Sequence, residues 1–160
     1  MKVSKLLNFA VFHGAWLAAM FVAAAGRPLI ATLAPAAAVT LHLWWAGEHR
    51  RKELTIVASA AAAGLLLDGP AILLGLYSTS HGTTITSIIW FVALWANFAT
   101  TLNSSLAWLN GKLWVAVVFG AIGGPLAYYG GQKIGAAAVS DTWTSWLWIT
   151  LEYALATPVL

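Results

Sequence analysis

The stretch GLLLDGPAILL, residues 64–74, sets a carboxylate beside a glycine and a proline in the middle of an apolar run from Leu54 to Leu76. Pro70 cannot donate to the carbonyl of Leu66 and its ring crowds it, so a bend or break is expected near Asp68, with Gly69 adding freedom. Asp68 then suits the cap of the outer half-helix. A carboxylate at a broken helix is also how small carriers bind a proton or cation at membrane depth, so one residue serves two readings. Glu152 has no such break beside it, and a carboxyl group there must be protonated or paired. Asn97 or a tyrosine hydroxyl is the partner expected for it.

Further polar residues fall at matching depths when the spans are laid out at about 1.5 Å per residue. Asp68 and Tyr128 lie toward the outer side, with Asn97 and Glu152 near the middle. His13, Thr101, Ser104 and Ser105 form a second layer further in, and His42 lies closer still to the cytoplasmic side. On the fourth apolar run Asn97, Thr101, Ser104 and Trp108 follow i, i+4, i+7 and i+11, one stripe of a helix, flanked by Thr100 and Asn103. Asp68, Asn97, Thr101, Ser104, Tyr128 and Glu152 are thus the candidate ligand or ion site. In GAIGGPLAYYGG, residues 120–131, Gly123, Ala127 and Gly131 recur every fourth residue, continued by Gly135, and Gly120 with Gly124 makes a GxxxG pair. One side of that helix is nearly bare backbone, for close helix packing or for a groove beside Pro125 that admits a lipid tail.

No familiar catalytic constellation is present: HExxH, GxSxG and a Walker loop are all absent, and Asp68-Gly69 lacks the further aspartates of a metal-dependent phosphotransferase. No catalytic residue is assigned. A Ser104 nucleophile with His13 as base, an intramembrane enzyme, is the third reading after binding module and carrier. The chain has no cysteine, which leaves histidine and carboxylate as the only strong metal ligands. His13 and His42 could bridge a haem from two helices, but without a supporting motif they read as hydrogen-bonded packing residues. His49 and His81 fall in loops. No metal or cofactor is expected.

The elements that must position these residues follow from composition. Of 160 residues 61% are hydrophobic and only 8% charged, with a mean hydropathy of +0.81. A soluble domain carries roughly a quarter charged residues to coat its surface. This chain therefore reads as an integral membrane protein. Six apolar spans are expected, each a helix because unpaired backbone in lipid is costly. They run from about Leu6 to Ala25, to near Ala46, from Leu54 to Leu76, from Ser87 to Leu109, from Leu113 to Gly131, and from Trp143 onward. Residues 1–160 are expected to form one all-α six-helix transmembrane domain.

The lysines and arginines set its orientation. Lys2, Lys5, Arg50, Arg51, Lys52 and Lys112 fall on one side, against Arg27 and Lys133 on the other, which directs both termini to the cytoplasm. Trp44, Trp45, Trp108 and Trp114 fall at the cytoplasmic interface and Trp143 at the opposite one. A secretory signal ending at AAAG, residues 23–26, is the competing reading of the first span, whose length, Asn8 and His13 argue against it. The formal charge of +3 sits in short loops and not in a patch, which argues against nucleic acid. Membrane lipids are the expected partners, and an oligomer if transport is the role.

GRP at 26–28, LLLDG at 65–69, LWANFATTLNSSLAWL at 94–109 and GGPLAYYGG at 123–131, in this order and spacing, resemble a family of small bacterial inner-membrane proteins, domain of unknown function 2878. The resemblance covers nearly the whole chain. In that family a histidine often stands where this chain has Ser104, which weakens a histidine-centred mechanism here. The resemblance implies a link to enzymes that modify membrane fatty acyl chains, and with it a lipid- or amphiphile-binding accessory role.

Overall fold

The computed structural model describes residues 4–160, and six α-helices account for most of them. They are α1 (Lys5–Ala24), α2 (Leu33–Ala46), α3 (Arg50–Leu73), α4 (Thr84–Leu102), α5 (Leu113–Ile134) and α6 (Trp143–Val159). Local chemistry sets their starts: the side chains of Ser4, Thr83 and Thr142 accept from the backbone N–H three residues on, satisfying a donor that a helix start leaves free. At the end of α5, Gly135 takes a left-handed φ of +86° and closes the last turn onto Gln132 and Gly131.

The turn between α2 and α3 is a tight one at Gly47, φ +55°. His42 Nε2 meets Glu53 Oε2 at 3.0 Å across it, where an uninterrupted helix would hold residues eleven apart at about 16 Å. A short antiparallel pair, β1 (Tyr77–Thr79) with β2 (Ala137–Val139), closes one end of the bundle, with Tyr77 opposite Val139. Its first strand lies in the polar segment YSTSHGTT, residues 77–84. The opposite end carries Asn8, His42, Glu53 and the C-terminus.

Four helical stretches are long and apolar enough to cross a membrane: Lys5–Ala24, Ile30–Leu73, Thr84–Leu102 and Leu113–Ile134. The second spans 44 residues and contains both α2 and α3. Large apolar side chains stand exposed around the bundle, among them Leu6, Phe21, Leu66 and Leu126. An outward apolar surface of this kind belongs against lipid. At 14 and 17 residues α2 and α6 are about 21 and 26 Å long, short of a hydrocarbon core of about 30 Å. Length and apolarity alone therefore qualify four stretches, not six separate helices.

Two expectations are corrected. First, α3 does not break at Asp68: it runs through Pro70 to Leu73 and ends before Gly75, φ +72°. Asp68 caps no half-helix, since its oxygens accept from side chains of other elements. Second, α4 ends at Leu102 and not near Leu109. Thr100 and Thr101 donate their hydroxyls to the carbonyls of Asn97 and Phe98, and Asn103, Ser104 and Ser105 follow at once. Such side chains compete with the helical ladder. The predicted stripe therefore stops at Thr101, and Ser104 and Trp108 lie beyond the helix.

Candidate functional site

Asp68, wholly buried on α3, gathers donors from three other elements. Its Oδ1 accepts from the Tyr77 hydroxyl at 2.7 Å and the Tyr128 hydroxyl at 3.0 Å, and its Oδ2 accepts from the Trp95 indole N–H at 2.7 Å. The local sequence explains each approach. Gly64 precedes Asp68 by one helical turn, and a methyl group there would overlap the Trp95 indole, so α4 lays that ring directly on α3. Strand alternation turns Tyr77 and Thr79 inward and leaves Ser78 between them, and Thr79 is fastened to Ser87 at the start of α4.

Glu152 of α6 meets the same Tyr77 hydroxyl, at 3.0 Å from Oε2 and 3.3 Å from Oε1. A phenol has one proton to donate and lone pairs to accept. With that proton directed to Asp68 at the shorter distance, the contact with Glu152 is complete when a protonated Glu152 donates to the phenol oxygen. The two carboxyl groups thus share one hydroxyl in a closed cluster, and Glu152 is only 3% exposed. The tyrosine partner expected for Glu152 is Tyr77, whereas Asn97 points elsewhere: its Nδ2 donates to the carbonyl of Phe12 at 3.2 Å.

The structure brings Asp68, Tyr128 and Glu152 together and leaves Asn97, Thr101 and Ser104 outside that cluster. Thr101 lines a separate cavity of about 380 Å³ between α1, α4, α5 and α6. Its walls are aromatic rings and the glycine side of α5, and neither Asp68 nor Glu152 lines it. Tyr128 does, and its hydroxyl donates to Asp68, while Phe91 and Tyr153 line the cavity and pack on Tyr77 and Trp95 of the cluster. Two buried polar atoms on the cavity lining have no protein partner, the Trp90 indole nitrogen and the Thr157 hydroxyl.

The family described as Protein of unknown function (DUF2878) matches residues 5–159. The chain belongs to that family. No curated protein and no solved structure matches it.

In this DUF2878 chain the glycines of α5 divide their work. A methyl group at Gly120 would strike the backbone carbonyl of Tyr153, and one at Gly124 the Tyr153 ring, so this pair lets α6 pack against α5. Gly123 meets nothing within 4 Å and opens onto the cavity, with Ala127 and Gly131 further along the same wall. Both readings of GAIGGPLAYYGG thus apply, to different residues.

The histidines are hydrogen-bonded: His42 to Glu53, and His13 through Nδ1 to the carbonyl of Phe9 at 3.0 Å. Glu53 also accepts from Asn103 at 3.1 Å. Among the described residues no three histidine or acidic side chains gather as a metal site. Sequence reasoning missed Tyr77, Trp95 and Glu53. Tyr77 stood at the edge of a polar segment and Trp95 read as one apolar residue among many. A tyrosine nine residues after a buried carboxylate was the available signal.

Proposed function

We propose that this protein is a multi-pass protein of the bacterial inner membrane that holds one amphiphile, an acyl chain or a chain of similar width, in the cavity between α1, α4, α5 and α6. It acts as an accessory binding module beside enzymes of membrane-lipid modification, the association that the family resemblance implies. One observation carries the reading: a cavity of about 380 Å³ walled by aromatic rings and the glycine side of α5, with a few polar side chains, His13, Thr101 and Ser105, on its lining. Ligand sites have this make-up, a mostly apolar lining with a few polar groups, and a volume of this order holds one chain.

Six crossings with both termini cytoplasmic belong to the same proposal. The lysine and arginine distribution supports it, with the short α2 and α6 reaching the interfaces by local thinning of the bilayer. The carrier reading, a proton or cation at Asp68 and Glu152, is weaker, because α3 is unbroken and both carboxyl groups are sealed among protein donors. The enzyme reading has no support from Ser104, whose side chain lies past the end of α4.

The test is native mass spectrometry of the protein released from membranes, wild type beside Gly123→Phe. The added ring projects into open cavity space. Wild type is expected to retain an amphiphile that the variant loses while unfolding at the same temperature. A wild type that carries nothing, even when offered long-chain lipids, removes the reading.

A further inference from the structure

The polar atoms at one end of the cavity say what kind of head group it takes. At the end away from the strand pair, Thr101 and Ser105 line the cavity, and each has already given away its hydroxyl proton. Thr101 donates to the carbonyl of Phe98 at 2.6 Å and Ser105 to Asn8 Oδ1 at 2.8 Å. What each still offers is lone pairs. His13, nearby on α1, donates through Nδ1 to the carbonyl of Phe9, so in the neutral ring Nε2 is an acceptor. Thr157 also belongs to the lining, but its hydroxyl oxygen is buried in the protein and does not open onto the cavity space. Among the described residues, no lysine, arginine, aspartate or glutamate lines the cavity. This end is rich in acceptors, poor in free protons and without formal charge.

Along α5 the lining extends from Phe119 to Gly131, about 18 Å at 1.5 Å per residue. That is a little over half of a hydrocarbon core of about 30 Å, the depth one lipid tail reaches. We infer that the ligand is a single-chain, uncharged amphiphile bearing a hydroxyl group, seated with that hydroxyl donating into the acceptors of Thr101, Ser105 and His13 and its tail lying along the Gly123 side of α5. The inference rests on the cavity reading above and specifies its ligand. A phospholipid is excluded by its charge and second chain, and a fatty acid anion by the absence of any cationic side chain on the lining.

The experiment uses the full chain in detergent or nanodiscs and four probes of one chain length: hexadecanol, its methyl ether, hexadecane and palmitate, with saturable binding read by native mass spectrometry. Hexadecanol is expected to bind about tenfold tighter than hexadecane, and the ether, which can only accept, to bind like the alkane. Ser105→Ala should move hexadecanol toward the affinity of hexadecane, while Ser105→Thr retains the preference. Equal binding of all four probes, or a preference for palmitate, overturns the hydroxyl assignment and leaves the cavity reading standing. Saturable binding of none of them overturns both. The probe series is read on the wild type, so the outcome does not depend on how well the variants fold.

Discussion

The Trp95 indole N–H donates to Asp68 Oδ2 at 2.7 Å across the α3–α4 interface, and it reaches there because Gly64, one turn before Asp68, puts no side chain in its path. One polar contact between two spans thus depends on a glycine that touches neither charge nor ligand. Buried polar groups must find partners, and a carboxylate away from water has few choices.

Trp95→Phe keeps an aromatic ring but removes the donor together with part of the indole's buried packing. A hydrogen bond to a charged group is worth about 1.5–3 kcal/mol, so equilibrium unfolding in mixed micelles should show a loss of about 2 kcal/mol. Gly64→Ala should cost at least as much, because the ring must move. An unchanged unfolding curve for Trp95→Phe would mean that Asp68 is held by the tyrosines alone.

Tyr77→Phe takes away the hydroxyl shared by Asp68 and Glu152. Destabilisation of about 2–3 kcal/mol is expected, and less when Glu152→Gln is already present, since the amide can turn its N–H₂ toward Asp68. A double-mutant cycle should give a coupling of about 1 kcal/mol or more. Strict additivity would show that the two carboxyl groups do not act through Tyr77.

Gly120→Ala and Gly123→Ala should behave differently although they sit three residues apart on α5. At Gly120 the methyl group meets the Tyr153 carbonyl and α6 must shift, a change that costs about 1–3 kcal/mol. At Gly123 it meets open space, so thermal unfolding should be unchanged or slightly raised by helix propensity. Equal losses at both positions would contradict the division between packing and cavity.

Asn8 joins α1 to the end of α4 with both halves of its amide. Nδ2 donates to the carbonyl of Thr100 at 2.9 Å, and Oδ1 accepts from the Ser105 hydroxyl and N–H. Asn8→Leu leaves those groups without partners in a buried place and should cost about 2–3 kcal/mol in unfolding. Asn8→Asp, which keeps the acceptor, should cost less at the Ser105 side, and a reversal of that order would deny the assignment of the amide.

Asp68→Asn bears on whether the carboxyl cluster and the cavity are one site. Asp68 does not line the cavity, so the variant should keep its bound amphiphile in native mass spectrometry. Loss of ligand with the fold intact would make Tyr128, which touches both, the conduit between them.

Much of this molecule was legible in one dimension because lipid imposes a simple rule. Apolar runs of sufficient length must be helices, so the ends of α1, α2 and α5 lie within a few residues of their predicted positions. The family was legible as well, in the order and spacing of its short motifs. Harder to read was where polar side chains would find partners, because that depends on which helices meet and at what rotation. Asp68 beside Gly69-Pro70 looked like a cap for a broken helix. Only the packed bundle supplies Tyr77, Trp95 and Tyr128, donors drawn from β1, α4 and α5, which satisfy the carboxylate while the helix continues.

The fourth helix shows the same division. Its period-four stripe predicts Asn97, Thr101 and Ser104 on one face, but the run of threonine, asparagine and serine turns the chain out of the helix after Leu102, where Asn8 captures Ser105. By itself the sequence determined apolar helices long enough to span a membrane, since these follow from composition and the length of the apolar runs. Tertiary structure alone decided that Asp68 and Glu152 are sealed together and that the ligand-sized space lies beside them, because a hydrogen bond and a cavity are both set by side chains that only the folded bundle brings within reach.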